Sequence, residues 1–237
     1  MITTAIIVAA GRGIRMGETI PKQYLMLAGH PIICHTLTAF NACDAIDRMV
    51  WVVPEADLDF CRQNILPQAT VTKPVHLVPG GKERQESVYQ GLLTLGPESD
   101  NLVVIHDGVR PLIRSDQITA CIRVAQKKHA CIVGLPATDT LKQVSDSGSI
   151  LSTLDRKHIW MAQTPQVFRH ALIRSAHESA IDKQITMTDD AALIEPMDIP
   201  VYFIQGTPYN IKITTKADLQ LAEAILTCRI VRSLFYT

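Results

Sequence analysis

The chain has 237 residues, with 23 Lys and Arg against 23 Asp and Glu, so its formal net charge is zero. Hydrophobic residues make up 47% and charged residues 19%, which excludes a disordered chain and supplies no basic field for nucleic acid. Apolar runs such as Ala5–Ala10 fall far short of the ~20 residues that cross a bilayer, and Met1-Ile2-Thr3-Thr4 lacks the positive start of a signal peptide, so neither nucleic acid nor membrane is expected as a partner.

Ala5–Ala10 ends at Gly11 and reads as a strand buried on both faces. Pro31 suits a helical first turn, after which Ile33, Leu37 and Phe40 share one face. Met49–Val53 is a second strand, closed by Pro54, and Val75–Val78 a third, closed by Pro79-Gly80-Gly81. A helix over Arg84–Leu95 carries Val88, Leu92 and Leu95 at helical spacing, and Leu102–Ile105 is the fourth strand. Asp116–Lys127 repeats the helical pattern with Ile118, Ile122 and Ala125, and Cys131–Leu135 is the fifth strand. Residues 138–160 break the rhythm. They are polar, with strand-like Asp139–Val144 and Ile150–Leu154 flanking a Ser145–Ser149 turn, which predicts a hairpin projecting from the sheet. Phe168–Ala180 and Thr188–Glu195 are shorter helical candidates, with Asp189-Asp190 as a solvated helix start. Val201–Ile204 and Ile211–Ile213 read as late strands, and Thr215-x-x-Asp218 as a capping box ahead of Leu219, Ala222, Ile225 and Leu226.

This alternation predicts an α/β fold, a sandwich around a mostly parallel sheet, in one domain over residues 1–237. No second catalytic domain is expected behind the Leu219–Ile230 helix. The six cysteines form no C-x-x-C pair and mostly sit in apolar segments, so buried reduced thiols and a cytoplasmic location are expected. Apart from His106, the histidines show no triad or metal spacing and carry no expected chemistry.

The chemistry gathers after the first strand, in Ala9-Ala10-Gly11-Arg12-Gly13-Ile14-Arg15-Met16-Gly17 and then Pro21-Lys22-Gln23. Backbone N–H groups of such a turn can converge on an anion with no Cβ in the way. The Lys-Ser/Thr of a Walker A loop is absent, and Met16 stands where a dinucleotide loop needs its third glycine. Two cations, Arg15 and Lys22, stand there instead. Cations beside a backbone cradle suit a triphosphate whose charge develops during phosphoryl transfer. Asp107 follows a buried strand, where ligands of open α/β sheets collect, and a carboxylate there can hold Mg²⁺.

The loop, with Pro21-Lys22-Gln23, resembles the nucleotidyltransferases that couple a nucleoside triphosphate to a sugar or polyol phosphate. Gly80-Gly81-Lys82-Glu83-Arg84 with Ser87, then His106-Asp107-Gly108-Val109-Arg110-Pro111, resemble the cytidylyl branch. Thr140-x-Lys142, Arg156 to Gln166, Thr188-Asp189-Asp190-Ala191 and Asn210-Ile211-Lys212-Ile213-Thr214 complete an ordered set. From Ile7 to Thr214 that set resembles the 2-C-methyl-D-erythritol 4-phosphate cytidylyltransferases of the non-mevalonate isoprenoid pathway.

The resemblance implies a Rossmann-like nucleotidyltransferase sandwich that transfers CMP from CTP to the polyol phosphate and releases pyrophosphate. Ala9, Ala10, Gly11 and Gly13 would cradle the nucleotide, with Arg15 and Lys22 stabilising charge at the α-phosphate. Gly81, Lys82 and Ser87 match the cytosine-reading segment, with Arg84 beside that pocket. Ile14 and Lys82 depart from the basic and the acidic residue that some relatives carry there. Asp107 and Gly108 would face the ribose or acceptor, with Arg110 bracing the loop. Arg156 and Lys212 match the cations that hold the acceptor phosphate, and Thr140 and Thr188 the hydroxyls near it. Trp160 and Gln163–Gln166 would shape the core beneath the site. The arm, residues 138–160, would embrace a second copy in a homodimer. Two alternatives remain at this point: a ribitol- or glycerol-phosphate cytidylyltransferase, and a catalytically silent nucleotide-binding protein on the same fold.

Overall fold

The computed structural model describes residues 1–11, 20–96 and 101–235. Nine strands and five longer helices frame it: β1 (Thr3–Val8), α1 (Ile32–Asn41), β2 (Arg48–Val53), β3 (Val75–Pro79), α2 (Arg84–Leu93), β4 (Leu102–Asp107), α3 (Ser115–Lys128), β5 (Ala130–Pro136), β6 (Lys142–Val144), β7 (Ile150–Thr153), β8 (Trp160–Arg169), α4 (His170–Asp182), β9 (Tyr202–Gln205) and α5 (Lys216–Phe235). Seven strands form one sheet in the order β9-β5-β8-β4-β1-β2-β3. All neighbours are parallel except β8, which runs antiparallel to both β4 and β5.

Apolar side chains alternate across the sheet and are buried on both faces. Ala5 and Ile7 of β1 join Trp51, Ile33, Leu37, Phe40, Ile118 and Ile122 on the α1/α3 face. Ile6, between them, joins Val50, Val52, Val88, Leu92, Val103 and Ile173 on the α2/α4 face. A third cluster, Leu27, Ile32, Val109, Leu112, Ile213 and Ala222, seats the start of α5. Five cysteines are buried, Cys228 is exposed, and all six thiols are free.

Five expectations need correction. Residues 211–213 form no strand: Ile213 donates its N–H to the Val109 carbonyl at 2.9 Å and packs in the third cluster. Thr188–Glu195 is no α-helix but leads into two single 3₁₀ turns, Ala191–Leu193 and Glu195–Met197. Strand β8 was not foreseen beyond the arm, because Gln163, Thr164, Pro165 and Gln166 argue against a central strand. The chain accommodates them with a register shift against β5 between Ala162 and Gln166. Its end also takes Phe168 and Arg169 from the expected helix, which starts at His170. Pro31 precedes α1 in an extended conformation rather than opening its first turn.

The register sets the site. Val8 pairs with Asp107 on one side and Val52 on the other, so the segments after β1, β3 and β4 leave the same carboxyl edge, where α/β sheets bind ligands. The last helix is fixed by the expected box. Asp218 accepts the N–H of Thr214 and Thr215, each at 2.8 Å, and the Thr215 hydroxyl accepts the Asp218 N–H at 3.2 Å. Asp218→Ala is expected to cost about 1 kcal/mol, lowering the melting temperature by about 2–4 °C. Calorimetry of the two proteins checks this, and an unchanged melting temperature counts against the cap.

Candidate active site

A cavity of about 150 Å³ opens at that edge. Its wall on the β1 side is Ala9, Ala10, Gly11 and Lys22, and on the β3 side Gly81, Lys82, Arg84 and Ser87. Asp107 and Lys212 close it from β4 and the 210–213 segment. Gly13 and Arg15 lie outside the described residues.

The two glycine turns meet directly. A Cβ on Gly80 would lie 2.3 Å from the Ala10 Cβ and 2.9 Å from Ser87 Oγ, so only glycine allows this approach. The turn then uses its own donors. Gly80 N–H bonds the Val53 carbonyl at 2.8 Å, Gly81 N–H the Ser87 hydroxyl at 3.1 Å, and Lys82 N–H the Glu86 carboxylate at 2.8 Å. The Ser87 hydroxyl donates in turn to the Glu83 carbonyl at 3.0 Å. Ser87 therefore holds the turn's shape, and the N–H groups of Gly80, Gly81 and Lys82 are all engaged within the protein.

Lys22 opens a short 3₁₀ turn, Lys22–Tyr24, pinned from below by Tyr24. The phenol donates to Asp57 at 2.9 Å and lies 3.1 Å from the Cys61 sulfur, with Phe60 edge-on to its ring. Burial, then Cys61 and Asp57, push the phenol far above its usual titration range, so it stays a neutral donor.

Asp107 organises the rest. Its Oδ1 accepts from Arg84 Nε at 3.0 Å, and its Oδ2 from Lys212 Nζ at 3.0 Å and Arg110 Nε at 3.3 Å. Burial opposes charge on this carboxyl, but Arg84, then Lys212 and Arg110, hold it well below the usual carboxylate range. Arg84 is shared with Asp190, at 2.7 Å, and Asp190 also meets His177 Nε2 at 3.2 Å. Burial disfavours the Arg84 cation, and Asp190 followed by Asp107 outweighs it. Asp190 is 1% exposed, so it is no solvated helix start. The apolar Ala191–Ile194 run behind it was the available signal.

Buried polar groups of β8 brace the loop. Thr164 Oγ1 accepts the Asp107 N–H at 3.1 Å and donates to His106 Nδ1 at 3.0 Å, while His106 Nε2 donates to the Arg110 carbonyl at 3.1 Å. These partners assign His106 as the neutral Nε2–H tautomer. Arg110 Nη1 donates to the Asn210 carbonyl at 2.8 Å, and the Asn210 amide to the Thr164 carbonyl at 2.8 Å. Gly108 lies behind the cavity, its N–H on Val8 and its carbonyl on the Thr36 hydroxyl. Thr164 and Gln166 lie where sequence reasoning put them, in the core beneath the site, whereas Asn210, His177 and Asp190 were given no contact with it. Trp160 does not lie beneath the site: it is partly exposed and packs on Phe203.

Three sequence-expected residues stay apart from the cavity in the single chain. Thr140 and Arg156 are exposed on the arm, with Arg156 donating to the Thr138 carbonyl, and Thr188 is exposed two residues before Asp190. Among the described residues no group of three His, Cys, Asp or Glu side chains gathers as a metal cage, and both Asp107 oxygens already face cations. Such a donor set fits a Mg²⁺ that arrives on phosphate oxygens and keeps its waters, not a resident ion.

The family model described as IspD, 2-C-methyl-D-erythritol 4-phosphate cytidylyltransferase, matches residues 3–228. The chain belongs to this family. A 2-C-methyl-D-erythritol 4-phosphate cytidylyltransferase from Pelotomaculum thermopropionicum is 43% identical over 225 residues, covering 95% of this chain and 94% of its own. The Syntrophus aciditrophicus cytidylyltransferase is 45% identical over 222 residues, 94% of either chain. The crystal structure of 4-diphosphocytidyl-2C-methyl-D-erythritol synthase from Anaerococcus prevotii superposes with a TM-score of 0.84 at 32% identity, covering 95% of this chain and 96% of its own. In this member of the family, then, the fold that presents the cavity is the expected α/β nucleotidyltransferase sandwich.

Burial in the site has a pH consequence. His106 is wholly buried, and desolvation pushes its pKa down to about 4. The unfolded histidine takes a proton near pH 6.5, where the folded one does not. Its contribution to stability is complete above pH 6.5 and is lost as pH falls towards 4. The urea midpoint is therefore expected to drop between pH 7 and pH 5, and to drop less in His106→Gln. Equal drops in both proteins remove His106 as the cause.

Proposed function

We infer that the protein transfers CMP from CTP to 2-C-methyl-D-erythritol 4-phosphate, yielding 4-diphosphocytidyl-2-C-methyl-D-erythritol and pyrophosphate. One observation carries this reading: Lys22, Arg84, Lys212 and the Gly80-Gly81 turn converge on one cavity around an anionic Asp107. The acceptor phosphate attacks the α-phosphorus in line, so the residues position groups and balance charge.

The nucleotide lies on Ala9, Ala10, Gly11 and Gly13, with its base against Gly81, Lys82 and Ser87. A turn whose N–H groups are engaged internally offers carbonyl acceptors, which suit the amino edge of cytosine better than the carbonyl edge of uracil. Lys22 and Arg15 take up charge at the α-phosphate. Lys212 leaves Asp107 for the acceptor phosphate, being the least buried of that carboxylate's three cations. Thr188 and, from the arm, Thr140 and Arg156 complete the acceptor site. Asp107 would hold a Mg²⁺ that arrives with the triphosphate, and that ion would add charge neutralisation there.

Pyrophosphate release is expected with CTP and methylerythritol phosphate, and not with ribitol 5-phosphate or with ATP, GTP or UTP. Lys22→Ala should lower turnover by about 10²-fold, the cost of removing one charge-stabilising donor. Release mainly with ribitol 5-phosphate would overturn the acceptor assignment. Unchanged turnover in Lys22→Ala would overturn that lysine's role.

The arm, residues 138–160, belongs to the same reading, as part of one nucleotidyltransferase domain that pairs with a second copy. Val144, Ile150 and Leu151 are more than half exposed on the hairpin, an apolar patch that calls for a cover. With Arg156 and Thr140 on this arm, one copy completes the acceptor site of the other. Free thiols and the absence of a membrane-crossing helix among the described residues agree with a cytoplasmic location. A doubled Ile150→Asp, Leu151→Asp variant is expected to run as a monomer by light scattering and to lose turnover. A monomer with full turnover removes the arm from the site.

A further inference from the structure

The segment from Lys183 to Asp190 follows α4 and carries Thr188 exposed. It is fastened downstream by Gln166, whose Nε2 donates to Asp189 at 2.7 Å and whose Oε1 accepts the N–H of Asp190 and Ala191, each at 3.1 Å. It is fastened upstream by Gln85, the second residue of α2. Gln85 Nε2 donates to the Ile185 carbonyl at 3.0 Å, and Gln85 Oε1 accepts the Met187 N–H at 2.9 Å. One side-chain amide thus uses both its ends on alternate backbone groups of a single segment, as a neighbouring strand would. Thr188 is the residue left between the two clasps.

We propose that Gln85 is a positioning residue for the acceptor: by clamping Ile185 and Met187 to α2, it sets where the Thr188 hydroxyl meets the polyol phosphate. This rests on the reading of Thr188 as an acceptor contact. The clamp starts from the residue next to Arg84, which lines the cavity and holds Asp107. The acceptor's threonine and the carboxylate at the centre of the site are therefore referenced to the same helical turn. A staple that merely tidies a surface loop would influence neither substrate.

The test is steady-state kinetics on the whole protein, varying CTP and methylerythritol phosphate separately. Gln85→Ala is expected to raise the acceptor KM by about five- to twentyfold, the worth of one or two neutral hydrogen bonds, and to leave the CTP KM within about twofold. Gln85→Glu keeps the acceptor for Met187 N–H and loses the donor to Ile185, so it should fall between. Thr188→Val should raise the acceptor KM, and adding Gln85→Ala to it should do less than the product of the two single effects, because both act through one hydroxyl. An unchanged acceptor KM in Gln85→Ala beside a raised one in Thr188→Val overturns the role of Gln85 alone. Parallel rises in both KM values, or independent effects in the double variant, also overturn it. If neither variant moves the acceptor KM, the Thr188 reading falls with it, while wild-type turnover in the same assay keeps CMP transfer standing.

Discussion

The site hangs on one buried carboxylate. Withdrawing Asp107 from water costs several kcal/mol unless its charge is compensated, and three cations compensate it. Two of them have second anchors: Arg84 on Asp190, and Arg110 on the Asn210 carbonyl. Those two are framework. Lys212 is the more exposed partner, and a flexible ammonium is better suited than a fixed guanidinium fork to change partners. The site thus combines a rigid charge lattice with one cation that can be redirected to a phosphate.

That lattice extends beyond the cavity. Thr164 and Gln166 sit buried in the middle of β8, where apolar side chains would normally be placed, because each makes ties beyond the ladder pairs of the strand. Thr164 holds His106 and Asp107 at the end of β4, past the Gln166–Ile105 pair, and Gln166 joins β8 to residues 189–191. Fully satisfied polar pairs of this kind cost little net stability and specify one arrangement of the loops they join.

Much of this was legible in the sequence, and the gaps have causes. Buried parallel strands announce themselves as unbroken apolar runs, so β1 to β5 were placed within a few residues. The box at Thr215 and Asp218 carries its own local signature. The antiparallel β8 has neither mark: its polar residues and Pro165 read as loop, since the partners that justify them lie far away in the chain. The same reason hid Asp190, which looks solvated beside Asp189 but is buried, with Arg84 reaching it across more than a hundred residues. Lys22, Asp107 and Lys212 could be named from motif order. Their mutual geometry could not, because it depends on the register that aligns Val8 with Asp107.

The contact between Gly80 and Ala10 has a consequence for how this gene can vary. Every amino-acid replacement of this glycine installs a side chain, and each side chain begins with the same Cβ. Here that atom would fall 2.3 Å from Ala10 and 2.9 Å from Ser87, inside the contact distance of both. No replacement is small enough to be neutral, so the position is closed to drift. A compensating change would have to begin at Ala10, whose own Cβ makes the shortest of these contacts.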